Sequence, residues 1–256
     1  MIISVANQKG GVGKTTTVIN IGVGLSKVNK KVLLVDADPQ AHLSNWLNFQ
    51  WDKKPYTFAD LIHQFVANGE INFSDYIYTN QDLNIDYIPA TNMLAGAKNI
   101  IQLDSDNQNV LNRLFHHSFF EKYDYIIFDC QTALDLMVSN ILKCGDKLLI
   151  PVQAEPLAYD AVPKMFTELL KIKGNTDLEK HLLGMIVTRY KTKTTIAKIV
   201  FDNLKISYGH LLFSPPIPER VEAINSTALH TVSVQNDKSD VGKAYRKVID
   251  ELILKQ

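Results

Sequence analysis

Ile2-Ile3-Ser4-Val5-Ala6-Asn7-Gln8-Lys9-Gly10-Gly11-Val12-Gly13-Lys14-Thr15-Thr16 is the stretch whose reading decides this chain. It opens as a short apolar run without polar alternation, the pattern of a strand buried on both faces. A glycine-rich turn follows, and a helical pattern over residues 15–28 begins at once. Glycines let a backbone fold tightly enough to aim successive N–H groups at phosphate oxygens, and the new helix adds the positive end of its dipole. Gly10, Gly11, Val12 and Gly13 therefore read as a phosphate cradle, with Thr16 at the helix mouth. Lys14 supplies its point charge and the Thr15 hydroxyl a ligand for Mg²⁺. Strict GxxxxGK(S/T) asks for glycine where Gln8 stands, so the match is to the variant KGGxGK(S/T).

Outward from this loop, apolar runs recur at residues 32–35, 125–128 and 148–152, and Leu182–Thr188 is a fifth candidate strand. Helical patterns lie at 57–66, 107–122, 134–143, 161–173, near Thr195–Tyr208 and around 241–255, with a proline-rich loop at 214–218 before the last. Strand and helix alternate, which predicts a doubly wound α/β fold, a mostly parallel sheet with helices on both faces. Residues 48–92 are the least legible part, polar and turn-rich around 52–55 and 80–82, and read as an elaboration within one domain spanning 1–256. With 256 residues, such a domain buries enough surface to need neither disulfides nor a structural metal.

Twenty-seven basic and 27 acidic residues cancel, so no whole-molecule field draws in nucleic acid or membrane. The sum hides an asymmetry: residues 171–256 hold 14 Lys/Arg against 9 Asp/Glu, a net +5. Cys130 and Cys144 show no metal-ligand spacing and read as buried apolar residues of a reducing compartment. No leader pattern and no long apolar stretch appears, so a cytoplasmic protein is expected. Asp129 ends an apolar run, where open α/β sheets bind ligands, and is placed to hold Mg²⁺ beside Thr15. No glutamate follows it to act as the catalytic base.

These residues resemble the deviant Walker A ATPases, and among them the ParA/Soj partition proteins, with MinD and nitrogenase iron protein more distant. The likeness runs nearly end to end, anchored at residues 6–17, Val32-Leu33-Leu34-Val35-Asp36-Ala37-Asp38-Pro39-Gln40, residues 124–130 and Ile150-Pro151-Val152-Gln153. It implies an ATP- and Mg²⁺-dependent P-loop ATPase of slow intrinsic rate, stimulated by a partner. Asp38 would orient the attacking water and Asp36 would support Mg²⁺ through its water shell, although both aspartates also suit capping of the next helix. Lys9 is the signature lysine that would reach the phosphates of a second copy, so that ATP joins a homodimer. Thr188, Arg189, Pro216 and Pro218 fall where family members enclose the adenine.

The resemblance further implies non-specific duplex DNA binding, a nucleoid-associated location and a ParB-type adaptor, in plasmid partition or chromosome segregation. Lys193 aligns with one DNA-contacting basic residue, while Glu222 stands where relatives carry another; Lys198 and Arg220 are candidate replacements. The usual DCPPS after the second aspartate strand is replaced by Asp129-Cys130-Gln131-Thr132-Ala133. The resemblance is to the short partition ATPases, for which no helix-turn-helix extension before the first strand is expected. A ParA-like or MinD-like positioning ATPase for another cargo or for a membrane is the alternative, but the last helix leaves little over for a membrane anchor.

Overall fold

The computed structural model describes residues 1–51, 56–174 and 177–255. Among them, seven strands form one sheet: β1 (Ile2–Val5), β2 (Val32–Ala37), β3 (Tyr78–Asn80), β4 (Ile85–Ile88), β5 (Tyr125–Cys130), β6 (Lys147–Gln153) and β7 (Leu182–Thr188). Their order is β3-β4-β2-β5-β1-β6-β7, parallel throughout except where β3 pairs antiparallel with β4. The doubly wound α/β architecture expected from the alternation is present.

Strand residues divide their side chains between two apolar layers, which is why the runs lack polar alternation. Ile3, Val5, Leu34, Tyr125 and Ile127 face one layer, filled by the helices Lys14–Lys27 and Asp240–Leu254. Ile2, Leu33, Val35, Ile126 and Phe128 face the other, built on helices that include Phe58–Val66, Leu136–Cys144 and Ala158–Lys173. Each such large side chain, once fully buried, contributes about 1.5–3 kcal/mol. Because β1 lies between β5 and β6, the chain leaves it at the point where strand order reverses, and the loop after it opens into the crevice there.

Three expectations change. The single helix read over 107–122 is a helix at Val110–Phe115 and a separate 3-10 turn at Ser118–Lys122. The break lets Phe115 and Phe120 both reach the core, their rings 4.9 Å apart, while extended His117 caps the turn by accepting from the Phe119 N–H. The illegible region 48–92 contributes the edge strand β3 and its neighbour β4, both too short to give a periodic signal. The turn expected at 52–55 lies outside the described residues. Helix Ala158–Lys173 starts three residues before the expected 161 and contains Pro163.

Candidate functional site

The loop after β1 is tied down by its own polar atoms. Asn7 accepts from the Lys9 N–H at 2.9 Å and donates to the Pro151 carbonyl on β6 at 2.8 Å. The Thr188 hydroxyl takes the Val12 carbonyl at 2.7 Å, and the Arg189 guanidinium takes the Gly11 carbonyl at 3.1 Å. With those carbonyls drawn away, the loop's N–H groups are left for the cleft. Gly11 and Gly13 sit at φ of 74° and 82°, a region that a side chain would strain, and Gly13 caps helix Lys14–Lys27. The unpaired N–H groups of that first helical turn point the same way.

A cleft of about 540 Å³ opens over this loop. Gly10, Gly11, Gly13, Lys14, Thr15, Thr16, Asp38, Thr188, Arg189 and Pro218 line it, so most of the residues singled out from the sequence converge here. Val12 is buried beneath it. Pro216 does not reach the cleft; with Pro215 it lines a neighbouring groove, because the loop turns its two prolines outward and only Pro218 back. Trp46, Glu219 and Tyr245 line the cleft without having been found in the sequence, since each comes from a segment remote from the loop and carries no local signal. Glu155 was missed too, although it follows β6 just as Asp38 follows β2; its carboxylate meets the Lys9 ammonium at 2.5 Å.

Two carboxylates stand side by side on the sheet, Asp36 of β2 in register with Asp129 of β5. Asp36 is committed within the protein: one oxygen accepts from the Ser44 N–H at 2.8 Å and its hydroxyl at 2.6 Å, the other from the Asp38 N–H at 3.2 Å. These bonds tie Asp36 to the third residue of helix His42–Trp46, whose N-cap is Ala41. Burial outweighs these bonds and pushes its pKa up to about 6. Asp129 is as buried, yet neither of its oxygens has a hydrogen-bond partner. Burial, then the charge of Asp36, holds it well above the usual carboxylate range. The Thr15 hydroxyl and Lys14 pull the other way, with Thr15 near but outside hydrogen-bond geometry.

An orphaned buried carboxylate beside a hydroxyl is a hard-oxygen donor pair that fits Mg²⁺, a cation that keeps waters and shares substrate phosphates. Among the described residues no group of three His, Cys, Asp or Glu forms a closed metal cage. Asp38 sits at the cleft with one oxygen accepting from the Gln40 N–H at 2.9 Å and the other without a partner among the described residues. In place of the usual proline-containing segment, Gln131 donates to Asp135 at 3.0 Å, and Asp135 caps helix Leu136–Cys144.

The basic candidates separate. Lys193 and Lys198 are exposed and have no ion-pair partner among the described residues. Arg220 instead pairs with Asp240 at 3.0 Å. Glu222 accepts from the hydroxyl of Ser239, the cap of helix Asp240–Leu254, at 2.6 Å. Cys130 and Cys144 are buried and unpaired. Among the described residues no helix is long and apolar enough to cross a membrane.

A family model described as an AAA domain matches residues 1–183. The sporulation initiation inhibitor protein Soj of Bacillus subtilis is 31% identical over 220 residues, covering 86% of this chain and 85% of that protein. The chromosome partitioning protein ParA of Caulobacter vibrioides is 26% identical over 257 residues, covering 100% and 94%. A crystal structure of cobyrinic acid a,c-diamide synthase from Mycobacterium smegmatis, with bound ATP analogue and magnesium, superposes with a TM-score of 0.79 at 29% identity, covering 98% and 93%.

Proposed function

We propose, for a chain that belongs to the AAA-domain family and is an ATPase of the ParA/Soj type, a cycle in which ATP joins two copies, the pair holds duplex DNA without reading its sequence, and a ParB-type adaptor triggers hydrolysis and release. The enzyme hydrolyses ATP and works with Mg²⁺. The observation that carries the reading is Asp129, a buried carboxylate with no hydrogen-bond partner, next to Asp36 and close to Lys14 and Thr15.

In this reading Thr15 and Asp129 hold Mg²⁺, which when bound offsets charge on the β- and γ-phosphates. Gly10 to Thr16 bind the phosphates through backbone N–H groups, and Lys14, nearly buried, adds a fixed cation. Asp36 anchors the loop after β2 through Ser44 and so positions Asp38. The free oxygen of Asp38 orients the attacking water and accepts its proton. Lys9 serves the second copy: it leaves Glu155 when a γ-phosphate across the interface offers a stronger partner, a differential interaction of the kind any ligand switch requires. Thr188, Arg189 and Pro218 close the cleft on the base side, with no such role for Pro216.

Lys193 and Lys198 contact DNA phosphates, supported by the net +5 of residues 171–256. Arg220 contributes less because Asp240 already neutralises it. Two chains present two copies of this weak surface, so the dimer binds much more tightly than the monomer, and salt weakens it. Nucleoid association follows from that binding. Replacing Asp38 by Ala tests the cycle. Light scattering with ATP should find the variant trapped as a dimer without turnover, and fluorescence anisotropy should find it on random-sequence duplex. A variant that hydrolyses at the wild-type rate as a monomer overturns the reading.

A further inference from the structure

Beside the cleft, on the far side of the segment containing Pro218 and Arg220, lies a separate groove of about 310 Å³. Among the described residues only those two line both cavities. Pro215, Pro216, Tyr190 and Ala244 give the groove a rigid, largely apolar lining. Lys243 and Lys247 stand over it one turn apart on helix Asp240–Leu254, so both ammonium groups serve the same face. Asp240, the acid nearest Lys243 along that helix, is held by Arg220 instead. Neither lysine has an ion-pair or hydrogen-bond partner among the described residues, and the same is true of the Thr192 hydroxyl at the rim. The groove therefore combines a largely apolar wall with the mutually paired Arg220 and Asp240, which also line it, two cations without a partner and a free hydroxyl, a net positive lining.

We propose that this groove is a second ligand site, distinct from the catalytic cleft, for an aromatic phosphate of mononucleotide size. Rigid prolines and a tyrosine receive a planar ring with little entropy lost, and lysine is a point-charge binder of phosphate. The volume lies at the lower end of the roughly 300–1,000 Å³ of ligand pockets, which suits one mononucleotide. Duplex DNA, whose phosphates are met by protruding cations, gains nothing from a recessed apolar wall. Since Pro218 and Arg220 form the partition, an occupant of the groove acts on the wall of the ATP cleft, and coupling between the two is reciprocal in affinity.

The test uses the full chain saturated with AMP-PNP and Mg²⁺, so that the catalytic cleft is filled, and titrates it with mant-AMP followed by fluorescence anisotropy. One further saturable site per chain is expected, competed by AMP at least tenfold better than by adenosine, which lacks the phosphate. Lys243→Ala with Lys247→Ala should weaken mant-AMP at least tenfold while AMP-PNP affinity stays unchanged; both side chains are exposed, so the fold is kept. Absence of saturable binding, or equal affinity in the double variant, overturns the proposal. Displacement of mant-AMP by a stoichiometric random-sequence duplex also overturns it and assigns the lysine pair to nucleic acid. The AMP-PNP titration that precedes the test reports separately on the ATPase reading.

Discussion

At the carboxyl ends of the strands the Asp129 carboxylate is buried with neither oxygen hydrogen-bonded, whereas at the amino ends the half-buried Lys173 ammonium donates to the carbonyls of Lys143 at 2.9 Å and Gly145 at 2.5 Å. Burial shifts both groups toward their neutral forms, lowering Lys173 and raising Asp129. The lysine is answered by the last turn of helix Leu136–Cys144, whose orphan carbonyls and negative dipole end want a cation. The aspartate has Lys14 and Thr15 nearby but, among the described residues, no hydrogen-bond partner for either oxygen. A charge satisfied in this way is part of the fold, and one left unsatisfied marks a place kept for a ligand.

That contrast can be broken in four ways. The largest effect is expected at the cleft: Lys14→Ala should lower ATP affinity at least a hundredfold, about 2.7 kcal/mol, because it removes the loop's fixed cation. Isothermal titration measures it, and undiminished affinity would remove Lys14 from the site. Next comes Asp129→Asn, which should abolish Mg²⁺-dependent turnover yet stabilise the metal-free chain by about 1–3 kcal/mol at neutral pH, since folding no longer has to force a proton onto a buried carboxyl that is ionised in the unfolded chain. Calorimetry without metal, set beside a steady-state ATPase assay, reads both. A variant less stable than wild type would show that Asp129 is a structural acid after all.

Lys173→Met should do the reverse, costing about 1–3 kcal/mol through the carbonyls left without a donor while ATP affinity is unchanged. Urea unfolding and the same titration check it. The smallest effect concerns pH. Asp36, at about 6, and Asp129 hold protons in the metal-free fold that the unfolded chain has already lost. The fold therefore gains from these two groups at low pH and loses that gain as pH rises through the window from about 4 to about 6 and beyond. The stability advantage of Asp129→Asn over wild type should thus widen between about pH 5 and about pH 7.5. A gap that stays constant means that Asp129 is ionised throughout.

Much of the site was legible because its residues are local. Asn7 to Thr16 specify strand, turn and helix by their own conformational needs, and β2, β5 and β6 announce themselves as apolar runs that end in polar residues. The same logic applied past β6 points to Glu155, the residue that holds Lys9. The edge strand Tyr78–Asn80 and its neighbour Ile85–Ile88 were not legible, because three or four residues are too few to carry a periodicity that a loop lacks. Nor was the break after Phe115, where the demand of two phenylalanines for one core outweighed local helix propensity.

The sequence by itself determined the doubly wound architecture, the phosphate loop and the acids at the strand ends, since each rests on residues that are neighbours in the chain. Tertiary structure alone decided that Asp36 is spent on Ser44 while Asp129 is left free, although both end apolar runs as aspartates. It alone turned Pro216 away from the cleft and Pro218 toward it, brought Tyr245 to its wall and neutralised Arg220 with Asp240. The physical reason is that a polar group's fate depends on which partners packing brings within hydrogen-bond reach, and those partners come from segments that the sequence keeps far apart.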